Sequence, residues 1–230
     1  MAQTQAQVQV QTQTHTPASS LPPLTTQVLK TSLDKQEALK LVADSIAQQR
    51  QTASYHLITR PLHLSLLFAS YAILYALQRS DITFCIITAS GITFSYLLLI
   101  RMLTGDYIRL AEDFRWQDFI QKPDGIEDIV LVTRYGQDLI GTLVLRLQPE
   151  EGKAAVRAWT VPLRYRGKGV GGDLLREAVR IARERCGRDC EVTFAPDHAN
   201  AAQVVNPWLG RPFEERDRKA RKALAAATKE

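Results

Sequence analysis

Thiols are scarce in this chain: of 230 residues only Cys85, Cys186 and Cys190 are cysteine. Their odd number, the lack of a Cys-x-x-Cys pair and the lack of nearby histidines exclude a disulfide framework and a structural zinc site. They point instead to a reducing compartment. No metal is therefore expected, and each thiol reads as small, buried or idle. No aromatic residues are interleaved with a basic stripe, and neither a zinc-finger spacing nor a helix-turn-helix pattern occurs, so no nucleic acid partner is expected. A net charge of +5 and a pI near 9.2 still favour acidic partners, namely anionic lipid or a polyphosphate. The amino terminus lacks the basic start and apolar run of a signal peptide. Residues 1–23 alternate Gln with Ala, Thr and Val before Pro17, Pro22 and Pro23, a composition that buries too little to order and predicts a disordered tail.

Charge is missing over two long stretches. Leu62 to Leu77 and Ile82 to Ile100 contain no charged residue and are separated only by Gln78-Arg79-Ser80-Asp81. As helices they would extend about 24 and about 28 Å, against a hydrocarbon core of about 30 Å. They predict a two-helix transmembrane hairpin over 62–100, and the lipid bilayer becomes an expected partner. A buried hairpin in a soluble fold is the alternative. Arg50 and Arg60 precede the hairpin, and Arg101 and Arg109 follow it. The positive-inside rule therefore places both flanks in the cytosol, with the endoplasmic reticulum or another endomembrane as the expected location.

Around the hairpin the periodicity is that of a mixed α/β domain. Thr25 to Lys30 predicts a strand, and Ser32 to about Gln49 a helix with Ala38, Leu41, Val42, Ser45 and Ile46 on one face. Asp106 to Gln121 predicts a helix near the membrane surface. Ile129 to Val132, Leu139 to Leu147 and Ala154 to Val161 predict three strands of an antiparallel meander, split by turn sequences at Tyr135–Asp138 and Pro149–Gly152. Glu191 to Ala195 predicts a fifth strand. Arg211 to Glu230 reads as a solvated basic helix or tail, with contact to anionic lipid as the sharper alternative.

The chemistry concentrates at Arg166-Gly167-Lys168-Gly169-Val170-Gly171-Gly172, which opens directly onto an amphipathic helix from Asp173 to Ala182. Glycines let a backbone approach a ligand closely, and the N–H groups at a helix start favour an anion such as a diphosphate. A dinucleotide fingerprint is excluded because Pro162 to Arg166 separates the strand from the first glycine and because Glu191 opens, rather than closes, the next strand. A nucleotide-triphosphate loop is excluded because Lys168 is followed by Gly169 rather than Ser or Thr.

In that context Arg166-Gly167-Lys168-Gly169-Val170-Gly171 resembles the signature of the GCN5-related N-acetyltransferases (GNAT): Arg or Gln, two residues, Gly, one residue, Gly or Ala. The resemblance implies a GNAT acyl-CoA N-acyltransferase fold, a mixed and mostly antiparallel sheet flanked by helices. Its domain would span 24–213, interrupted by the hairpin (helices 62–77 and 82–100), with 214–230 as an appended basic segment. The co-substrate would be acetyl-CoA. By resemblance, backbone N–H groups from Gly167 to Gly172 would hold its pyrophosphate, with charge from Lys168 and Arg164. Trp159, Thr160 and Val161 would pair with its pantetheine arm, and Asn200 would contact the same arm. The insertion between the first two helices is similar to membrane-bound enzymes of the N-acetyltransferase 8 type, which implies an amine acceptor on a small molecule, such as an amino-acid conjugate, or on a protein.

Amine acetylation needs a base, an oxyanion site and an acid for the leaving thiolate. His198 is the candidate base, though a solvated loop histidine is the plainer account of it. Many family members place a tyrosine about seven residues after the asparagine as the acid. Asn206-Pro207-Trp208 stands there instead, which leaves water as the acid or the chain as a CoA-binding pseudoenzyme. A membrane regulatory or scaffold module is the remaining alternative.

Overall fold

The computed structural model describes residues 22–121, 125–201 and 211–229. Most of the expected tail, the expected Asn206–Trp208 window and Glu230 lie outside the described residues. Five strands form one sheet in the order β1 (Leu24–Val28), β2 (Ile129–Tyr135), β3 (Asp138–Gln148), β4 (Lys153–Thr160) and β5 (Glu191–Phe194). The first three junctions are antiparallel, and β4 runs parallel to β5. The parallel junction needs a crossover, which is made by α6 (Val170–Cys186).

Alternating side chains divide the sheet into two faces. Leu131, Leu143, Leu145, Val156 and Val192 meet Leu174, Leu175, Ala178 and Ala182 of α6 on one face. Val130, Val132, Val144 and Ala158 meet Ala38, Leu39 and Val42 of α1 (Ser32–Thr59) on the other.

Helix α1 runs ten residues past the expected end at Gln49. Its buried stripe continues through Gln49, Ala53 and Leu57 at spacings of three and four, and the polar Gln49 disguises it. The stop comes at Arg60, whose backbone is extended (φ −65°, ψ 127°), as the following proline demands. Pro61 then occupies the first turn of α2 (Pro61–Gln78), where its missing N–H costs nothing. Asp81 caps α3 (Ile82–Leu103) by accepting from the Phe84 N–H at 3.0 Å.

Both helices are long and apolar enough to cross a membrane. No residue of α2 is buried, and in α3 only Cys85 and Ile100 are. Leu66, Phe68, Ile73, Ile87, Phe94 and Leu99 are all exposed. The two helices are tied to each other by Tyr71 Oη and Thr93 Oγ1 at 2.6 Å. The Tyr96 hydroxyl donates to the carbonyls of Leu57 and Ile58 at 3.3 Å each, which ties them to the end of α1.

The single helix expected over Asp106–Gln121 is two, α4 (Asp106–Glu112) and α5 (Trp116–Ile120). Phe114, Trp116 and Phe119 pack against the sheet and Ile120 is fully buried, so this face is turned to the core rather than to a membrane surface. Apolar side chains two apart, at 114 and 116, cannot share one helix face, and the chain breaks there to bury both.

The carboxy-terminal segment also departs from expectation. Helix α7 (Arg211–Lys229) runs through the expected boundary at 213/214 and is docked. Leu224 and Ala227 are buried in the core beneath α6, and Phe213 joins Ala53 and Tyr107. Its basic composition hid a narrow apolar stripe, which is enough to hold a helix on a core.

Candidate functional site

Strand β4 is the frame of the site, and a β-bulge in it decides the geometry. Its pairing with β3 steps from Val144↔Ala158 to Leu145↔Val156, so Arg157 is the extra residue. The bulge reverses the alternation of β4. Val156 faces α6, Ala158 faces α1, and Trp159 turns back towards α6. Pairing with β5 ends at Val156↔Phe194. Beyond it the Ala195 N–H donates to Val156 O (3.0 Å) and the Ala199 N–H to Arg157 O (2.8 Å). Among the described residues, Ala158–Thr160 have no strand partner on the β5 side. β4 and β5 therefore splay apart, leaving an unpaired strand edge beside the start of α6.

Arg157 pins the bulge. Its guanidinium donates to Asp128 Oδ2 at 3.0 Å, to Asp197 Oδ2 at 2.6 Å and to the Phe119 carbonyl, and it lies 4.2 Å over the Phe119 ring. The Asp128 side chain is 0% exposed and also accepts from Arg146 at 3.0 and 3.1 Å. Burial pushes the Asp197 carboxyl up, but hydrogen bonding and charge from Arg157 outweigh it and leave the group below the usual carboxylate range.

Next to the splay the chain turns through Leu163–Tyr165 into the glycine loop. Gly167 (φ 76°) and Gly169 (φ 88°) adopt the left-handed region, and a Cβ on either would meet nothing within 4 Å. The loop is thus an open cradle whose curvature needs glycine. Gly169 precedes α6 and, having no side chain, cannot cap it; among the described residues no other side chain accepts from the first-turn N–H groups. Those donors point outward, with the helix dipole behind them.

Gly171 has a different role: a Cβ there would stand 2.9 Å from the Trp159 ring, whose Nε1–H donates to Gly171 O at 3.1 Å. Gly141 on β3 likewise leaves room for Leu174 and Val170. These two glycines let α6 start close on the sheet. The Val170 side chain is buried with Ile140 and Val161, so only its backbone faces the cradle. Gly172 has ordinary clearance.

The other expected site residues fall into three settings. Arg166 is fixed by its Nε–H donating to Val161 O at 2.8 Å, and its Nη2 reaches Gln48 Oε1 of α1 at 3.4 Å. Burial first, and the charge of Arg216 second, lower its affinity for its proton. Lys168 stands exposed, 5.6 Å from the Tyr165 ring centre, and Arg164 lies over the same ring with Asp138 at 3.8 Å. Asn200 Oδ1 accepts from Gln49 Nε2 at 2.9 Å and Ser45 Oγ at 3.3 Å, while Arg216 of α7 donates to Asn200 O at 3.0 Å.

His198 Nδ1 accepts the Asn200 N–H at 3.2 Å, which leaves the ring proton on Nε2. Nε2 is buried without a partner among the described residues. Burial, followed by the charge of Arg216, pushes the pKa down to about 4, so the ring is neutral at pH 7. Sequence reasoning missed Arg157, Asp128, Ser45, Gln49 and Arg216. They come from α1, β4, α7 and the residue before β2 to form two clusters, around Arg157 and around Asn200, and no local pattern signals their meeting.

A family model described as the acetyltransferase (GNAT) family matches residues 98–204. The match begins within α3 and runs through β2 to β5, so it contains the splay and the glycine cradle, while β1 and α1 lie before it. No curated protein and no solved structure gives a match. The matched stretch and the five-stranded sheet flanked by helices support the GNAT superfamily for this chain, and with it acetyl-CoA-dependent acyl transfer as the general chemistry.

Proposed function

We propose that this protein is a membrane-anchored N-acetyltransferase that moves acetyl from acetyl-CoA to an amine. The observation that carries the reading is the coincidence of the open β4 edge with the uncapped start of α6. One provides a strand edge for an amide-bearing arm and the other a cradle for a diphosphate. The open space above Gly167 and Gly169 fits such a group. Backbone N–H groups from Gly167 to Gly172, with Lys168, would hold the pyrophosphate, and Trp159 to Val161 would present the edge to the pantetheine amides. Acetyl-CoA supplies an activated thioester, whose carbonyl carbon is the electrophile.

The residues present define the remaining roles. N–H groups on the unpaired edge of β4 would serve the oxyanion that forms there. His198 is a poor base, because its acceptor nitrogen is already occupied and its neutral form is favoured. Asp197 is ionised and bound to Arg157, which makes it a weak acceptor of protons. The amine therefore loses its proton to water, and His198 and Asn200 serve to fix the loop after β5 against α1. This arrangement supports turnover without a dedicated acid or base, at a rate that rises with the fraction of unprotonated amine.

The hairpin supports a bilayer setting like that of N-acetyltransferase 8-type enzymes, with the catalytic face on the cytosolic side of an endomembrane. Arg50, Arg60, Arg101 and Arg109 flank the apolar segments on that side. The acceptor would be an amino-acid conjugate or a protein amine.

The test is thiol release from acetyl-CoA by purified protein with a panel of amines, beside the double variant Gly169→Glu, Gly171→Glu. Release that depends on an amine and is lost in the variant is expected. Tight CoA binding without release for any amine would favour a CoA-binding module, and absence of CoA binding would refute both readings.

A further inference from the structure

At the base of the hairpin, α1, α3 and α4 line a shallow, open groove of about 600 Å³. Its lining combines Arg50, Gln51 and Ser54 of α1 and Arg101 of α3 with the apolar Ile58, Leu97 and Ile108. Among the described residues neither Arg50 nor Arg101 makes an ion pair or a side-chain hydrogen bond. Arg134, Arg146, Arg157 and Arg216, in contrast, are each held by a carboxylate. Two guanidiniums without anions in one groove with apolar side chains are complementary to an amphiphile with an anionic head and a hydrocarbon chain. Leu97 belongs to the exposed apolar surface of α3, so a chain lying in the groove would continue onto the hairpin.

We propose that this groove is a specific site for one anionic phospholipid, its phosphate held between Arg50 and Arg101 and one acyl chain lying over Ile58, Leu97 and Ile108. The site rests on the reading of the hairpin as membrane-embedded but not on acetyl transfer. The groove also borders Gln48, which hydrogen-bonds Arg166 of the glycine loop, so the lipid would sit one helical turn of α1 from the cofactor cradle.

The experiment uses the full chain in non-ionic detergent micelles and compares dioleoyl phosphatidic acid with dioleoyl phosphatidylcholine by native mass spectrometry. One retained phosphatidic acid per chain is expected, with a preference over phosphatidylcholine on the order of thirtyfold from two arginines near an anionic surface. The double variant Arg50→Gln, Arg101→Gln should lose that preference, and each single variant should lose part of it. Arg79→Gln, at the turn of the hairpin, should keep it. Leu97→Asn should weaken both lipids alike. Glycerol 3-phosphate, the same head without chains, should not compete; competition at micromolar concentration would reassign the site to a soluble phosphate and overturn the lipid. An undiminished preference in a folded double variant would also overturn it. Alkaline carbonate extraction of cell membranes tests the embedding separately, so failure of that reading is distinguishable from failure of the site.

Discussion

Replacing Asp128 with Asn tests the reading that a buried ion cluster holds the β4 bulge and so the cleft. The substitution keeps the size of the side chain but removes the negative charge shared by Arg146 and Arg157. Asp128 is 0% exposed and the Arg157 side chain 8%, so water cannot replace what is lost. Removing one partner of a buried pair costs about 3–5 kcal/mol. Arg157 keeps Asp197 and the Phe119 carbonyl, and Arg146 is partly exposed, which places this case near the lower end, about 3 kcal/mol. For a domain of this size each kcal/mol lowers Tm by about 2–4 °C, so a fall of roughly 6–12 °C is expected. Intrinsic tryptophan fluorescence during thermal unfolding in detergent micelles reads it. The double variant Asp128→Leu, Arg157→Met should recover more than half of the loss seen for Asp128→Leu alone, because an apolar pair of similar volume needs no partner. A fall below about 2 °C for Asp128→Asn, or no recovery in the double variant, would refute the ion-cluster argument.

Gly169→Ala should weaken CoA binding and destabilise the loop by about 1–2 kcal/mol, since φ 88° is unfavourable for any Cβ, whereas Gly172→Ala should be nearly silent. Isothermal titration with CoA compares them. Gly171→Ala should act through packing, costing about 1–3 kcal/mol as Trp159 is displaced, with a shift in tryptophan emission as its signature. His198 has its folded pKa depressed to about 4 from 6.5, so the unfolded chain binds the extra proton between those values. Its contribution to stability is complete above pH 6.5 and is lost as pH falls towards 4; the difference in Tm between wild type and His198→Phe, followed from pH 7 to pH 4, should shrink on the acid side. Cys190 is buried and its thiol is pushed up to about 11, first by burial and then by Cys186, so iodoacetamide should label Cys186 well before Cys190 at pH 8, as peptide mass spectrometry would show.

How much was legible in the chain follows the range of each signal. The strands around Ile129, Leu139 and Ala154 and the helix after the glycine loop announce themselves by periods of 2 and 3.6, and the structure places them within a few residues of expectation. Helix α1 outruns its sequence signal because Gln49, buried where it meets Asn200, looks like an interruption of an apolar stripe. Helix α7 looks solvated in the sequence because its charges outnumber the few apolar residues that α6 covers.

The sequence by itself determined the glycine loop, its offset from the preceding strand and the uncharged hairpin, because each is written in consecutive residues. Only the tertiary structure decided that the loop opens beside a splayed strand edge, that Gly171 is kept small by Trp159, and that His198 is a half-buried ring with its acceptor nitrogen already occupied. A bulge at Arg157 and its partners at 119, 128 and 197 make that difference. Charges so far apart along the chain acquire meaning only when burial removes the water between them.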